Sequence, residues 1–348
     1  MVAMNVAMSA AASGGTVAPT VVAVVSEELF AEFFSGEDAE RLQAVAAGLG
    51  GSFVRVDRLS DAELAEARIV ITSWGVGPFD AAVLASLPKL ELIAHTGATI
   101  KPFATDALFD RGILVTQAGA GMARPVAEVS LTFTLALLHR VPEMHNALRV
   151  GDGWYDADAV GVQREILGTP IAVIGASRTG RAYLELIRAL GAEPLLVDPT
   201  LDTAVAAGLG AELVTLDEAL QRAQIVAVHA PTLPETHHLI GRRELALLRD
   251  GAGLVNTARS WLVDEAALID EVQRGRLSAA IDVFDEEPFA ADSPFRSLPG
   301  VLVTPHRAAG TSQGRLRQGR IVVDEVEAFA EGRTLTHTIS RDQLSSMA

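Results

Sequence analysis

Short apolar runs rich in β-branched residues recur along this chain, separated by alanine- and leucine-rich stretches of helical character. In the first third they are TVVAVV (20–25), SFVRV (52–56), RIVIT (68–72), ELIAH (91–95) and GILVT (112–116). A second series follows residue 165: IAVIG (171–175), PLLVD (194–198), IVAVH (225–229), AGLVN (252–256), AAID (279–282) and VLVT (301–304). Runs that are apolar throughout fit strands covered on both faces, and their alternation with helices fits parallel sheets. Two such series predict an α/β chain with two doubly wound parallel-sheet units. At 348 residues and 49% hydrophobic composition, two cores of ordinary size can form without a covalent or metal staple.

PVAEVSLTFTLALLHRV (125–141) reads as a long apolar helix, buried at a domain or subunit junction. GRLRQGRIVVDEVEAFAEG (314–332) reads as a helix with Ile321, Val322, Val326 and Phe329 near one face. Because it follows the last strand, it can fold back on the first unit and make that unit discontinuous. The expected division is residues 19–120 plus 310–348 against 121–309, behind a disordered tail at 1–18. That tail is small, uncharged and low in complexity, without the positive n-region of a secretory signal. No later apolar run approaches the ~18 residues of a membrane span.

The chain has no cysteine, which removes thiol catalysis, thiolate metal sites and disulfides and suits a reducing cytoplasm. No metal site is expected. The formal net charge is −16, and the only lysines are Lys89 and Lys101. Such a surface repels phosphate backbones and anionic membranes, so neither nucleic acid nor membrane is an expected partner.

In open parallel sheets, ligands bind beyond the carboxyl ends of the strands. The residues just past the second series are Gly175, Asp198, His229, Asn256 to Arg259, Asp282 and His306, glycine or polar at every end. GASRTG (175–180) is one residue off the dinucleotide fingerprint G-x-G-x-x-G. Gly175 allows the tight turn, Gly180 allows close packing, and the following helix offers free N–H groups to a pyrophosphate. Ser177 stands where a glycine normally lets backbone approach phosphate; its hydroxyl could donate a hydrogen bond, with Arg178 adding charge. Asp198, at the end of the next strand, is placed to accept bonds from ribose hydroxyls and to repel a 2′-phosphate, favouring NAD over NADP.

A lone histidine after a strand, as in VLVTPHRAAGT (301–311), is most often a turn residue. Here it shares the strand ends with Arg259, which forks onto carboxylates, and Glu287, which could pair with it, fix its orientation and favour the imidazolium. An acid-binding arginine, a proton-donating histidine and a carboxylate partner are what carbonyl reduction needs beside a hydride donor.

HAPTLPETHHLIG (229–241), LVNTARSWLVDEAAL (254–268), AAIDVFDEEP (279–288) and TPHRAAGT (304–311) resemble the D-isomer-specific 2-hydroxyacid dehydrogenase family, and the resemblance extends over nearly the whole chain after the tail. It implies two Rossmann-like domains with the active cleft between them, and an NAD-dependent exchange of a small 2-oxo acid with its D-2-hydroxy acid. Carried over by position, it implies Arg259, Glu287 and His306 as catalytic residues. Arg178 and Thr179 match pyrophosphate contacts, and Thr257 and Ala258 line the nicotinamide. Asp282 matches the carboxylate that holds the carboxamide, and His229, Ala230, Pro231 and Thr236 match the segment passing the cofactor. Gly97, Ala98 and Thr99 match the loop whose amides hold the substrate carboxylate. A homodimer through the 125–141 helix and hinges near 117–123 and 306–312 are implied too.

The sequence departs from the family pattern at Ser177, at Ser260, at Met122 and in the 97–102 loop, where Thr99 and Lys101 replace a usual glycine and aspartate. Lys101 is a candidate contact for a second acidic group. Formate or phosphite oxidation is a rival on the same scaffold, against which Glu287 speaks for formate. An NAD(H)-sensing, corepressor-like binding protein is the rival of another class.

Overall fold

The structure, a computed structural model, describes residues 17–61, 64–150 and 153–344. The expectation of a disordered tail therefore falls, for residues 1–16, outside the described residues. The first series forms strands β1 (Pro19–Val24), β2 (Ser52–Val56), β3 (Ile69–Thr72), β4 (Leu92–His95) and β5 (Leu114–Gln117). They make one parallel sheet in the order β2-β1-β3-β4-β5. The second series forms β6 (Pro170–Ile174), β7 (Glu193–Val197), β8 (Glu212–Leu213), β9 (Ile225–Val228), β10 (Gly253–Asn256), β11 (Ser278–Ile281) and β12 (Val301–Val303). These run parallel in the order β12-β11-β10-β9-β6-β7-β8. Only β8 lacks a counterpart in the sequence reading: it has two residues, too few to show a pattern, and pairs at the edge of β7.

The central strands β3, β4, β9, β10 and β11 are buried at every residue, which is why their sequences are apolar without alternation. Each sheet has one point where the chain order reverses, between β1 and β3 in the first and between β6 and β9 in the second. Crevices open at such points beyond the carboxyl ends of the strands.

The helix Ser312–Ala330 returns to the five-stranded sheet. Its Val322, Val323 and Val326 share a core with Val21, Phe33 and Leu42. A Cβ on Gly319 would lie 1.7 Å from the Phe33 carbonyl oxygen, so glycine is what lets this helix approach so closely. The helix Ala123–Leu138 lies instead on the seven-stranded sheet, with Ala127, Phe133 and Leu137 packed against Ile171, Val173 and Ile225.

After Ala330 the chain crosses the edge of β5. Ile339 N donates to Val115 O at 2.8 Å, Gln117 N donates to His337 O at 3.2 Å, and Thr338 bridges Thr116 in antiparallel fashion. Arg341 pins this strap to Asp110. Among the described residues no helix is long and apolar enough to cross a membrane.

Candidate active site

Gly175 leaves β6 with φ +100, and a Cβ there would stand 2.7 Å from Ala230 Cα. A Cβ on Gly180 would meet Gly175 O at 2.2 Å. Both glycines are therefore required by backbone approach at the β6/β9 switch point. Ser177 is not such a position: its φ is −59, which any L-residue adopts, and its Oγ accepts from Gly180 N at 3.2 Å as N-cap of the helix Arg178–Ala189. The hydroxyl oxygen is thus engaged as a cap acceptor, a role that does not use its O–H donor, and serine replaces glycine here without strain.

Asp198 follows β7. Its Oδ2 accepts from Ala176 N at 2.8 Å, and its Oδ1 accepts from Thr200 N and Oγ1 at 2.9 and 2.6 Å. Partial burial pushes this carboxyl up, but the bonds from Thr200 and Ala176 outweigh it and hold the group below its usual range. The adjoining crevice has a volume of about 950 Å³. Its walls are largely apolar, including Ile174, Val197, Leu213, Val214, Leu233 and Leu239, and its acids are Asp198, Glu218 and Glu235. Thr236 Oγ1 accepts from Leu233 N and donates to Pro231 O, both at 2.8 Å, and so fixes the loop on its rim.

A second cleft, about 360 Å³, lies between the sheets and takes residues from the carboxyl ends of both. Ala98 comes from beyond β4, Gln117 and Gly119 from the end of β5, and Met122 and Val126 from the connection between the sheets. Facing them are Ser177 to Thr179, His229 to Pro231 and Thr257 to Arg259. Asn256 shapes the last group, donating from Nδ2 to Arg259 O at 2.9 Å and accepting from Ala258 N at 3.0 Å. Thr257 shares a hydrogen bond with Ser130 at 2.7 Å. Arg259 donates to Ala258 O at 2.6 Å; burial lowers its pKa, opposed by the charge of Glu287.

His229 is almost fully buried, 5.0 Å from the Tyr183 ring, and its Nε2 has no hydrogen-bond partner among the described residues. Burial lowers its pKa to about 3, so the ring is neutral at physiological pH.

Past β12, His306 takes φ +51, a left-handed conformation that a non-glycine residue holds at a cost of about 1–3 kcal/mol. Asp282 holds that turn. Its carboxylate accepts from Thr304 Oγ1 at 2.5 Å, Arg307 N at 3.0 Å and Ala308 N at 2.9 Å. Asp282, expected beside a nicotinamide carboxamide, is buried, and these bonds tie it to the His306 turn. Glu287 precedes a cis proline, anchors Oε1 on Phe284 N at 3.0 Å and brings Oε2 to 2.7 Å from His306 Nδ1. A carboxylate only accepts, so Nδ1 carries hydrogen and Nε2 is the atom presented to a ligand.

The structure thus pairs His306 with Glu287 and sets Glu287 within electrostatic reach of Arg259, but neither His306 nor Glu287 lines the 360 Å³ cleft in this conformation. In the substrate loop, Ala98 lines the cleft, whereas Gly97 is buried and Thr99 and Lys101 lie outside the lining. Lys101, a candidate contact for a second acidic group, is exposed on the turn beyond the loop.

The model of the D-isomer specific 2-hydroxyacid dehydrogenase NAD binding domain matches residues 131–308. The chain belongs to the D-isomer specific 2-hydroxyacid dehydrogenase family. It is 34% identical over 324 residues to D-3-phosphoglycerate dehydrogenase of Mycobacterium bovis, covering 93% of this chain and 57% of that protein. The chain thus spans little more than half the length of this relative. Glyoxylate reductase of Aeropyrum pernix is 30% identical over 270 residues, which cover 76% of this chain and 80% of that one. The crystal structure of a phosphoglycerate oxidoreductase from Rhizobium etli matches with a TM-score of 0.74 at 27% identity, covering 93% of this chain and 99% of that chain.

Against this family background, the cleft residues that sequence reasoning missed are Gln117, Gly119, Val126, Ile339 and Gln343. Ile339 and Gln343 arrive on the C-terminal strap, which only the antiparallel bridge to β5 brings to the site, so no local motif marks them.

His95 was missed for another reason: it reads as a strand residue. It lies beneath the substrate loop, where a Cβ on Gly97 would be 2.6 Å from its Nε2, and it hydrogen-bonds Thr72 Oγ1 through Nδ1 at 2.9 Å. Burial lowers its pKa from 6.5 to about 4. The unfolded chain therefore takes up this proton first, and stability present above pH 6.5 is lost as pH falls towards 4. For His95 that loss is on the order of 3 kcal/mol. Thermal melts between pH 7 and pH 4 are expected to show it, and His95→Gln is expected to flatten the decline. An unchanged decline would rule out His95 as its source.

Proposed function

We propose that this chain is an NAD-dependent oxidoreductase that interconverts a small 2-oxo acid and its D-2-hydroxy acid. The observation that carries this reading is a glycine-cradled dinucleotide crevice in the same sheet that places the half-buried Arg259 and the Glu287–His306 pair beyond its strand carboxyl ends. The crevice fits NAD: Gly175 and Gly180 leave no room for a Cβ and a helix N-terminus opens beside them, while in the adjoining cleft His229 Nε2 is buried without a partner among the described residues. NAD bound there supplies or accepts the hydride.

In this reading Arg178 and Thr179 hold the pyrophosphate, Asp198 the adenosine ribose, and Thr257 and Ala258 flank the nicotinamide. Arg259 and the amides near Ala98 hold the substrate carboxylate. His306 Nε2 gives its proton to the carbonyl oxygen during reduction and takes it back during oxidation, while Glu287 keeps the ring oriented through Nδ1. The D configuration follows from family membership. The 3-10 turn Gly119–Met122 and the segment at 306–312 are the proposed hinges of a closure that excludes water.

A second copy of the chain is the proposed partner for the apolar face that exposes Val141, Leu148, Trp154 and Tyr155. A reducing, cytoplasmic setting is proposed with it, on the cysteine-free composition.

NADH oxidation by the purified chain against a panel of 2-oxo acids tests the reaction. Turnover of one of them supports it, and NADH binding without turnover of any rejects it. Cofactor choice has its own test. The crevice lining contains Asp198, Glu218 and Glu235 and no lysine or arginine. Asp198→Ala is expected to bring NADPH affinity closer to NADH affinity by about tenfold, as one lost charge contact implies. Fluorescence titration with both nucleotides measures this, and an unchanged ratio would remove Asp198 from the ribose.

A further inference from the structure

The loop at 231–236 rims the dinucleotide crevice, with Pro231, Leu233 and Thr236 in its lining. Arg259 lines the separate cleft between the sheets. Trp261 stands between the two, in the 3-10 turn Ser260–Leu262 that follows Arg259 directly. Its Nε1 donates to Leu233 O at 2.9 Å. The proposed mechanism gives this tryptophan no task, and core packing does not account for it, since the residue is 40% exposed. An indole left partly in water is placed by what its N–H and its ring face touch.

Both ends of this link are fixed. At the crevice, Leu233 N donates to Thr236 Oγ1 at 2.8 Å and Leu233 O also accepts from Thr236 N at 3.1 Å, so the carbonyl that meets the indole belongs to a braced loop. The His237 ring lies 4.2 Å from the Trp261 ring and stacks in turn on His238 at 3.9 Å, which supports the indole from one side. At the other end, His238 N donates to Trp261 O at 2.9 Å. Arg259 O accepts from Asn256 Nδ2 at 2.9 Å and from Leu262 N at 3.4 Å. Among the described residues, the indole bond is the one hydrogen bond that joins 231–236 to 257–263.

We propose that Trp261 is a positioning residue through which a dinucleotide in the crevice sets the pose in which Arg259 meets the substrate carboxylate. Trp261 lines neither cavity and acts through its bond to the rim. Filling of the crevice moves or stiffens the Leu233 rim, and the indole passes that change to the turn behind Arg259. The inference rests on the oxidoreductase reading and adds to it a dependence of substrate affinity on cofactor occupancy. By linkage the dependence is reciprocal, so the factor that the cofactor adds to substrate affinity is the factor that the substrate adds to cofactor affinity. One neutral hydrogen bond sets the scale of Trp261's share, about 3- to 10-fold in that factor.

The test is the affinity for oxamate, an unreactive analogue of a 2-oxo acid, measured by calorimetry without NADH and with NADH at saturation. The wild-type chain is expected to bind oxamate more tightly with NADH by about tenfold or more. Trp261→Phe keeps a ring against His237 and removes the N–H. It is expected to cut that ratio by about 3- to 10-fold and, in turnover, to raise KM for the preferred acid more than it lowers kcat. No cofactor dependence in the wild type, or an unchanged ratio in the variant, overturns the proposal. An equal loss of oxamate affinity with and without NADH also overturns it, because that is what a merely structural role gives. Hydrogen exchange needs neither variant nor substrate. NADH alone is expected to slow the Leu262 and Val263 amides, which donate to Arg259 O and Ser260 O, and unchanged exchange rejects the link. If exchange slows but no 2-oxo acid is reduced, the reaction reading fails and the link stands. If an acid is reduced and the ratio survives Trp261→Phe, the link fails and the reaction reading stands.

Discussion

His306→Gln is expected to lower kcat by about 10²–10⁴-fold while leaving NADH affinity nearly intact, the range typical of a lost general acid. The expectation follows from three features of the histidine. Its Nδ1 is held by Glu287 at 2.7 Å, so Nε2 is the atom presented to a ligand. Its backbone is in the left-handed region, a conformation retained because Asp282 ties down the turn with three hydrogen bonds. The ring also lies outside the dinucleotide crevice, so glutamine there removes the proton donor without disturbing the cofactor's supports. Steady-state kinetics on the preferred 2-oxo acid, with NADH titration alongside, measure both quantities. A variant that keeps more than about a tenth of wild-type kcat would mean that the proton comes from elsewhere.

Arg259→Met is expected to reduce kcat/KM by about 10²–10³-fold, in the range for truncating one member of a desolvated charge pair. Partial burial of this guanidinium is what gives it that weight: it lines the cleft, is pushed below its usual pKa by desolvation, and among the described residues donates to Ala258 O. The cleft it lines is the one proposed to hold the substrate carboxylate. Because the same contact is made in ground state and transition state, the loss is expected chiefly in KM, unlike that of His306→Gln. A change confined to kcat would place Arg259 on the developing oxyanion alone, and no change would remove it from the substrate.

These two residues also show how far the one-dimensional pattern reaches. The run of buried strands was legible because parallel strands covered on both faces must be apolar throughout, as in β3, β4, β9 and β10. Carboxyl-end positions were legible for the same reason: once a strand is located, the residue after it is known, and Gly175, Asp198, His229, Arg259 and His306 all follow from that.

What the chain's sequence by itself determined is therefore the α/β class, the division into two strand series and the chemistry waiting at the strand ends. Only the tertiary structure decided which of those ends face one another. It brought Glu287 to His306 across nineteen residues and withdrew Asp282 into the turn beneath them. It made Ser177 a helix cap and left Lys101 outside the lining of the cleft. It carried Ile339 and Gln343 in on a terminal strap and stacked Arg315 on Trp74, residues 241 positions apart by their numbers. The physical reason is common to all of these. A strand's apolar pattern is a local record of burial, whereas the partner of a polar side chain is set by hydrogen bonds and charge between segments whose separation in sequence leaves no period to read.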